Sequence, residues 1–568
     1  MDCGADDARI ANRVRMDGRI LDYGRLAQIR REQRYRRDAE CAVNSQRESK
    51  EKQMMRKKRL QKRRSEVRPL PLLRLLLALA LALCAGSVLR AQNVEKIVID
   101  GQGKATAFPH YWEEAFGSGR ANLTLRESYR NDLREVKKIA DFKYVRFHAI
   151  FHDENGVYDE DEKGNPLFNF TYVGQIYDGL LKNGVRPIVE ISFMPKKLAL
   201  RQDLHPFWYK QNVAPPKDYA KWDLLIKKFG EFLVERYGIE EVAQWYFEVW
   251  NEPNIDFWSG EPKQATYFEL YDHTARTLKA VNPRLRVGGP ATSSAHWVSD
   301  FVAHTAQEKV PVDFVSTHGY ADDTTEDYFG AKLDIPIEKR MCKAVEKVHK
   351  EILLSAMPKL PLFWTEWNVS GYGQRHAGDT SYSATAIAQT VRDCDGLMDM
   401  ASFWTFSDVF EENGPFREPF PGGFGLIAPG GIKKPHYYTF SLLHKLGSQR
   451  IANDADNVLV TRRADGGLVV AVWNLWPPDQ KGEEKEVELE FRGVKGDPRV
   501  SVSRIDAAHG NTLATWRKMG SPRYPTEKQV EEMNRESALG NTERMKLKDG
   551  KLEITLPVNG FALIEAER

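Results

Sequence analysis

Between residues 108 and 435, short apolar stretches alternate eight times with helix-forming stretches, and this alternation constrains the fold more than any other feature of the chain. Amphipathic segments such as 128–142 and 219–238, the latter with apolar residues at helical spacing, separate the strands. The pattern predicts an α/β fold, a (β/α)8 TIM barrel. The eight predicted strands are AFPHYW, close to residue 108, and residues 144–151, 186–193, 245–250, 286–291, 313–320, 360–367 and 400–407.

A doubly wound open sheet is the competing fold for such an alternation. That fold would want a glycine-rich turn after its first strand, and the sequence contains no GxGxxG motif. The barrel is therefore the preferred interpretation of residues 108–435.

After residue 435 the pattern changes to alternating strands without intervening helices. Residues 457–476 contain two strand-like segments around an Asp-Gly-Gly sequence, which is typical of a β-hairpin. Residues 436–568 are therefore predicted to form an accessory β-sandwich, with a helix-like insert at 526–537. An isolated strand, VEKIVID, lies far upstream, and we expect residues 92–107 to complete the sandwich from the N-terminal side.

Residues 1–91 have a different character from the rest of the chain. A basic stretch, Met55–Arg64, precedes an apolar run of 15 residues, Leu75–Leu89. A basic leader followed by such a run is typical of a secretory signal peptide, so we expect export to the periplasm or the medium, with cleavage after Ser87 or Ala91. The run is short for a membrane-spanning helix, which needs about 20 residues, so no stable span is expected. An uncleaved anchor stays open as the alternative.

The charged residues nearly balance, and the small basic excess behind the net charge of +3 lies in the leader. We therefore expect no nucleic-acid partner. Cys342 and Cys394 are the two cysteines that would remain after cleavage. They could form one bridge in an oxidising compartment or stay as two buried thiols, and the sequence leaves both open, as it does the oligomeric state.

Two glutamates stand out at the ends of predicted strands. The fourth strand leads into Asn251 and Glu252, and the seventh contains Glu366. Residues at the carboxyl ends of barrel strands face the active site, so the two carboxyl groups should meet across one opening. Either glutamate alone would more often be a surface or ion-paired residue. Two of them, each beside Trp and Asn, favour a catalytic pair.

Paired carboxyl groups with aromatic neighbours suit glycoside hydrolysis. One carboxylic acid protonates the leaving oxygen while the other carboxylate attacks the anomeric carbon. Tyr320, at the end of the sixth strand, would then either pack or donate a hydrogen bond to the attacking carboxylate. Arg146 could be a core ion-pair residue, could hold Glu366 ionised by lowering its pKa, or could do both.

The remaining strand ends offer groups that could hold a sugar. Its hydroxyls need polar partners and its apolar face needs an aromatic surface. Trp404, His148, Asn251 and Glu411 could supply both kinds of contact. Trp404 could instead be a core residue, and Glu411 and Glu412 could be solvated loop acids.

At these residues the chain resembles glycoside hydrolase family 39, whose members include β-xylosidases and α-L-iduronidases. The matching stretches are FEVWNEPN, FWTEWN, VRFH, STHGY, FWTFSDVFEE and GGFGLI, and WRKMGSPRYPTEKQV resembles the β-xylosidase branch. The resemblance covers most of residues 93–568. It implies that Glu252 is the acid/base and Glu366 the nucleophile of a retaining reaction, and that no metal or organic cofactor is needed. The substrate-binding residues that the resemblance implies, at positions that surround the sugar in the family, are Arg146, His148, Phe193, Asn251, His318, Tyr320, Trp404 and Glu411.

Among the activities of that family, the sequence favours an exo-acting β-xylosidase that releases xylose from the non-reducing ends of xylo-oligosaccharides. An iduronidase must bind the carboxylate of its sugar, and Arg146 is the one basic residue that we find at a strand end. An iduronidase-like or other family-39 glycosidase, including an arabinosidase side activity, is the alternative. A non-catalytic carbohydrate-binding protein is a further alternative, which the presence of both glutamates disfavours.

Overall fold

The structure is a computed structural model that describes residues 94–371, 377–494, 498–540 and 542–566. The predicted leader and signal peptide, residues 1–91, lie outside these ranges. The strands, in chain order, are β1 (Glu95–Asp100), β2 (Ala105–Ala107), β3 (Ala115–Gly117), β4 (Tyr144–Phe147), β5 (Tyr158–Glu160), β6 (Pro166–Phe168), β7 (Arg186–Ile191), β8 (Tyr246–Val249), β9 (Arg286–Thr292), β10 (Phe314–His318), β11 (Leu362–Trp367), β12 (Met400–Phe403), β13 (Ile427–Ala428), β14 (Ile432–Lys433), β15 (Gln449–Ile451), β16 (Val458–Arg462), β17 (Leu468–Trp473), β18 (Lys485–Arg492), β19 (Arg499–Ile505), β20 (Glu543–Lys546), β21 (Lys551–Leu556) and β22 (Phe561–Ala566).

The helices follow the amphipathic pattern of the sequence. In helix α3, which spans Tyr219–Tyr237, Leu225 and Phe229 are buried. The Asp218 side chain accepts hydrogen bonds from the first backbone N–H groups of this helix, and Gly238, with φ of 78°, ends it. Within the described ranges, none of the helices is long and apolar enough to cross a bilayer. The helices are α1 (Glu127–Val136), α2 (Thr171–Lys182), α3 (Tyr219–Tyr237), α4 (Ile239–Val242), α5 (Lys263–Val281), α6 (Val298–Gln307), α7 (Thr325–Phe329), α8 (Ile337–Leu353), α9 (Tyr382–Asp393), α10 (Pro435–Leu443), α11 (Thr512–Lys518) and α12 (Glu527–Glu536).

Eight strands close into a parallel barrel in the order β3, β4, β7, β8, β9, β10, β11 and β12. The predicted (β/α)8 barrel is confirmed, and its second to eighth strands lie within the predicted segments, except that β9 ends one residue later, at Thr292. Apolar side chains near the starts of the strands, among them Ile188, Phe314, Phe363 and Met400, form one buried cluster. Because they fill the amino-terminal end of the barrel, the charged side chains of the strands gather at the carboxyl-terminal end.

The prediction that AFPHYW forms the first barrel strand is wrong. Ala105–Ala107 pairs with β15 outside the barrel, and Tyr111–Glu113 is a short 3-10 helix. The barrel begins instead with three residues, Ala115–Gly117. Glycine is unfavourable in a strand, so Gly117 makes this strand hard to predict from sequence. A glycine is nevertheless required here, because a Cβ at this position would lie 2.1 Å from the Trp404 ring.

Strand β5 pairs with β6 and β13 with β14 in two small sheets, and the ten remaining strands form two larger sheets that pack against each other. One has the order β2-β15-β16-β17-β22-β19-β20 and the other β1-β18-β21, and a separate apolar cluster fills the space between them. The predicted hairpin is confirmed: β16 and β17 pair antiparallel, with Arg462 opposite Leu468. The N-terminal β1 pairs in parallel with β18, so that Glu95 lies beside Val487. The domain boundaries assigned from the sequence stay a prediction.

The helix-like insert of the C-terminal region packs onto the loop that follows β12. Helix α12 begins with a capping box between Thr526 and Gln529. The ring of Trp516 lies 5.3 Å from that of Phe420, and Asn534 donates a 2.9 Å hydrogen bond to the carbonyl of Gly431. The insert therefore supports a loop that continues from the last barrel strand.

A disulfide bond joins Cys342 of α8 to Cys394, immediately after α9, with Cα atoms 5.2 Å apart. The sequence left open whether the two cysteines form a bridge or stay as thiols, and the structure contains the bridge. The bond closes a loop with a sequence separation of 52 residues, and α8 and α9 are adjacent helices on the outside of the barrel. It thus fixes two elements on either side of β11, which carries Glu366.

Replacing both Cys342 and Cys394 by alanine should lower the free energy of unfolding by about 4 kcal/mol, because a loop of this length loses its constraint in the unfolded chain. Urea denaturation of the oxidised protein and the double variant measures the difference. Dithiothreitol should shift the wild-type midpoint towards that of the variant and leave the variant unchanged. In protein that begins at Gln92, and so lacks the three cysteines of the leader, two titratable thiols after unfolding without reductant would contradict the bridge.

Candidate active site

Glu252 and Glu366 meet at the carboxyl-terminal end of the barrel. One oxygen of each carboxyl group and one ring nitrogen of His318 lie within 4.8 Å of one another, and the two glutamates are 8% and 5% exposed. Trp250 and Glu252 have positive φ values of 72° and 45°. Backbone strain of this kind persists where the surrounding structure enforces it, often at functional sites. The close approach fits the carboxyl separation of about 5–5.5 Å that retaining glycosidases use.

Both oxygens of Glu366 accept hydrogen bonds. Arg146 donates from Nη1 to Oε1 over 2.6 Å, and the Tyr320 hydroxyl donates to Oε2 over 2.7 Å. Nitrogens of His318 and His148 lie 3.7 and 3.8 Å from Oε1. The carboxylate is therefore held in one orientation by groups that favour its ionised form.

The environment of Glu252 is less polar than that of Glu366. Nδ1 of His318 lies 3.1 Å from its Oε1, and the Glu252 backbone N–H donates to the carbonyl of Ala291 over 2.8 Å. Burial, together with the charges of Arg146 and His148, lowers the pKa of His318 well below its usual range, so this imidazole is neutral. Glu252 thus faces a neutral partner where Glu366 faces a guanidinium.

These surroundings separate the two carboxyl groups by acidity. Burial raises the pKa of Glu252 well above its usual range, and the charge of Glu366 raises it further. Burial also raises the pKa of Glu366, but Arg146, His148 and the Tyr320 hydrogen bond act in the opposite direction. Glu366 therefore ionises first, and Glu252 keeps its proton. Arg146 lowers the pKa of Glu366, as predicted, although the opposite effect of burial is larger.

Arg146 is the fully buried centre of the site, and both functions considered for it apply. Its Nε donates to Glu248 over 2.5 Å and its Nη2 lies 2.8 Å from Oε2 of Glu190. Nη2 also donates to Oδ1 of Asn251 over 2.9 Å, which leaves the Asn251 NH₂ group as a donor for a ligand. The guanidinium thus orients Glu366, the Asn251 amide and two further carboxylates.

Sequence reasoning did not single out Glu190 and Glu248. Each is a glutamate in the middle of an otherwise apolar strand, Arg186–Ile191 and Tyr246–Val249, and each is completely buried. A charged residue inside a buried strand needs a partner, and that was the available signal. The strand pattern does not show that one arginine on β4 serves them both.

Replacing Arg146 by methionine should destabilise the protein by about 3–5 kcal/mol, because it leaves buried carboxylates without their cation. Urea denaturation at neutral pH measures this loss. The matched control is Arg284→Met, which removes an exposed arginine paired with the exposed Glu240 and should leave the midpoint nearly unchanged. Equal shifts for the two variants would contradict the central position of Arg146.

The predicted aromatic residues lie beside His148. The Trp404 ring is 4.7 Å from the His148 ring and 5.7 Å from the Arg146 guanidinium carbon, and Phe193 lies 6.2 Å from His148. Both aromatic side chains are buried, as a core interpretation of Trp404 would also require. Their position next to the catalytic pair makes them available to a sugar, and their binding function stays a prediction.

The two loop acids are buried, so their interpretation as solvated residues is wrong. Glu411 accepts hydrogen bonds from Arg126 over 2.6 Å and from Arg120 over 2.9 Å, and these arginines lower its pKa against the effect of burial. Glu412 is the acid that lies next to the site, with Oε1 3.6 Å from Nε2 of His148. Sugar binding by Glu411 stays a prediction.

Glu252, His318 and Glu366 are also close enough together to be considered as metal ligands. However, Arg146 already donates to the Glu366 oxygen nearest to His318. A divalent cation at this oxygen would meet the guanidinium charge, so the donor set suits proton transfer better than metal binding.

A closed (β/α)8 barrel with two buried carboxyl groups, one after its fourth strand and one on its seventh, is an arrangement that suits glycoside hydrolysis. The sequence model of the family described as "Glycosyl hydrolases family 39" matches residues 95–552. The chain belongs to this family, as its sequence motifs predicted, and is a glycoside hydrolase.

Characterised relatives match most of the chain. A β-xylosidase of Geobacillus stearothermophilus is 38% identical over 473 residues, which cover 81% of this chain and 93% of the relative. A β-xylosidase of Caldicellulosiruptor saccharolyticus is 36% identical over 463 residues, with coverages of 79% and 92%. The crystal structure of a monomeric β-xylosidase from Caulobacter crescentus CB15 superposes with a TM-score of 0.75 at 33% identity, covering 84% of this chain and 99% of that one.

Proposed function

We propose that the protein is an exo-acting, retaining β-xylosidase that releases xylose from the non-reducing ends of xylo-oligosaccharides. The observation that carries the proposal is the pairing of Glu252 and Glu366, of which the second is hydrogen-bonded by Arg146 and Tyr320. Two relatives named as β-xylosidases are 36% and 38% identical over about four fifths of the chain, and support xylose as the sugar.

The charges around the site also favour a sugar without a carboxylate. Among the described residues, the arginines near the glutamates already have acidic partners: Arg146 contacts Glu366, and Arg120 and Arg126 contact Glu411. A uronic acid such as iduronate would need a cation that is not already paired. Xylose has no substituent at C5 and makes no such demand.

The reaction proceeds by double displacement. The Glu366 carboxylate attacks the anomeric carbon as the glycosidic bond breaks, and Glu252 gives its proton to the leaving oxygen. The covalent xylosyl-enzyme is then hydrolysed when Glu252, now ionised, takes a proton from the attacking water. The higher pKa of Glu252 provides the protonated form that the first step needs.

Initial rates on a matched set of p-nitrophenyl glycosides test the proposal. We expect the largest kcat/KM on the β-D-xyloside, a smaller value on the α-L-arabinofuranoside, and none on an aryl α-L-iduronide. Xylo-oligosaccharides should lose one xylose at a time. A preference for the iduronide, or the release of internal fragments before xylose, would overturn the assignment.

We further infer that the protein is exported and that the mature chain begins near Gln92. The basic stretch followed by the apolar run Leu75–Leu89 supports this, and so does the Cys342–Cys394 bond, since disulfides persist mainly in oxidising compartments. N-terminal sequencing of the protein from its native host tests the inference. Cytoplasmic protein that retains residues 1–91 would contradict it.

A further inference from the structure

Glu190 is a completely buried carboxylate that the double displacement does not use. Its Oε2 lies 2.7 Å from Nδ1 of His148, within hydrogen-bond distance, and forms an ion pair with Nη2 of Arg146 at 2.8 Å. Its Oε1 accepts a hydrogen bond from the Ser192 hydroxyl. Ser192 Oγ in turn accepts from the backbone N–H of Ala149, next to His148 in sequence. Glu190 is therefore fixed against one edge of the His148 ring.

The other edge of the His148 ring also faces carboxylates. Nε2 lies 3.6 Å from Oε1 of Glu412 and 3.8 Å from Oε1 of Glu366, and His148 is only 2% exposed. A neutral imidazole has one N–H donor and one nitrogen lone pair, so one of its nitrogens would turn a lone pair towards a carboxylate oxygen. An imidazolium has a donor on both edges. The arrangement of acceptors thus matches the doubly protonated ring.

Charges from every neighbouring element act on this ring. Arg146 on β4 is a cation and opposes a further positive charge, and so does burial, whereas His318 on β10 is neutral. The acidic side chains that face the ring are Glu190 on β7, Glu252 after β8, Glu366 on β11 and Glu412 after β12. Burial lowers the pKa of His148, but the charge and hydrogen bond of Glu190 together with the other acids raise it to about 10.

We propose that Glu190 is a positioning residue that keeps His148 doubly protonated over the whole working pH range. In that state Nε2 is a charged donor next to the nucleophile and next to Trp404, where the proposed function places the sugar; the inference rests on that function for its effect on catalysis. The Nε2–H of His148 can then donate a charge-assisted hydrogen bond to a sugar hydroxyl. Without Glu190, the same imidazole would lose its proton near neutrality.

The test compares Glu190→Gln with the wild type through the pH dependence of kcat/KM on dinitrophenyl β-xyloside. Its leaving group needs no proton, so the ionisation of Glu252 does not obscure the result. If His148 returns to an ordinary pKa of about 6.5, its imidazolium fraction falls about thirtyfold at pH 8. We expect kcat/KM of the variant to fall progressively between pH 6 and 8, by ten- to thirtyfold, and the wild type to show no such loss.

Two further variants separate charge from packing. Glu190→Asp keeps the carboxylate and should recover most of the wild-type pH profile. Glu248→Gln removes an equally buried carboxylate that contacts Arg146, and no hydrogen bond to His148 is recorded for it. It should lower activity by a factor that does not change with pH. A flat profile for Glu190→Gln, or the same sloping profile for Glu248→Gln, would overturn the proposal.

A direct measurement does not depend on the folding of a variant. In wild-type protein labelled with [ε1-¹³C]histidine, the His148 signal, assigned by its loss in His148→Asn, should keep its imidazolium shift from pH 6 to 9. A His148 signal that titrates near neutrality would refute the inference even if the enzyme is a β-xylosidase. Conversely, an enzyme inactive on β-xylosides but with a permanently protonated His148 would refute the proposed function alone.

Discussion

Replacing Glu366 by alanine should abolish turnover on every β-xyloside, with a loss on the order of 10⁵–10⁶-fold, as is seen when a covalent nucleophile is removed. The structure gives the reason: Arg146 and Tyr320 hold this carboxylate in one orientation, and the neighbouring Glu252 keeps its proton. An activated leaving group should not help, because the bond that fails to form is the one to carbon. Steady-state rates on dinitrophenyl and p-nitrophenyl xylosides measure the loss.

The anomer of the product formed with azide shows which glutamate is the nucleophile. Azide fits the space of the lost side chain and should attack the anomeric carbon of a dinitrophenyl β-xyloside directly, giving the α-xylosyl azide by a single inversion. NMR of the product distinguishes the two anomers. A β-azide from Glu366→Ala would assign the nucleophile to the other glutamate, and a near-normal rate without azide would place the active site elsewhere.

Glu252→Ala should have a selective effect. Its side chain only moves protons, so a dinitrophenyl xyloside should still form the covalent intermediate at a nearly normal rate. Hydrolysis of that intermediate should slow by about 10²–10⁴-fold, the usual contribution of a general base. Stopped-flow absorbance should therefore show a burst of dinitrophenol followed by slow turnover. With p-nitrophenyl or natural substrates the first step should slow as well, since their leaving groups need a proton.

Azide again provides the matched comparison between the two variants. It needs no general base, so it should restore turnover of Glu252→Ala and give the β-xylosyl azide by two inversions. If Glu252→Ala instead gave the α-azide, the two assignments would be reversed. The absence of any burst with the dinitrophenyl substrate would show that Glu252 has a function in the first step beyond proton transfer.

The sequence predicted those parts of the fold that depend on strong local patterns. Seven barrel strands are apolar runs followed by polar side chains, and each was found close to its observed place. The first strand was missed because it has only three residues and ends in Gly117, whose presence is explained by the Trp404 ring packed against it. That contact joins the first and last strands of the barrel, and no local pattern can show it.

The same distinction applies to the site. The positions of Glu252 and Glu366 follow from the rule that strand ends face the opening, so the sequence was sufficient to find them. Glu190 could not be assigned, because a glutamate within a strand has no evident function until the arginine and histidine of the neighbouring strand are known. The interpretation of Glu411 as a solvated loop acid was wrong because its two arginine partners, Arg120 and Arg126, come from a distant part of the chain.

The pairing of β1 with β18 has a consequence for how the protein is made. Glu95 leaves the ribosome long before its partner Val487, and at about 5–20 residues per second the delay is on the order of a minute or less. During that time the barrel residues can begin to fold, whereas Ile97 and Ile99 have no sheet to join and remain a target for chaperones. Because β1, the first strand of the described part of the chain, pairs with β18, and β18 in turn with β21, this sheet cannot form until almost all of the printed sequence has been translated.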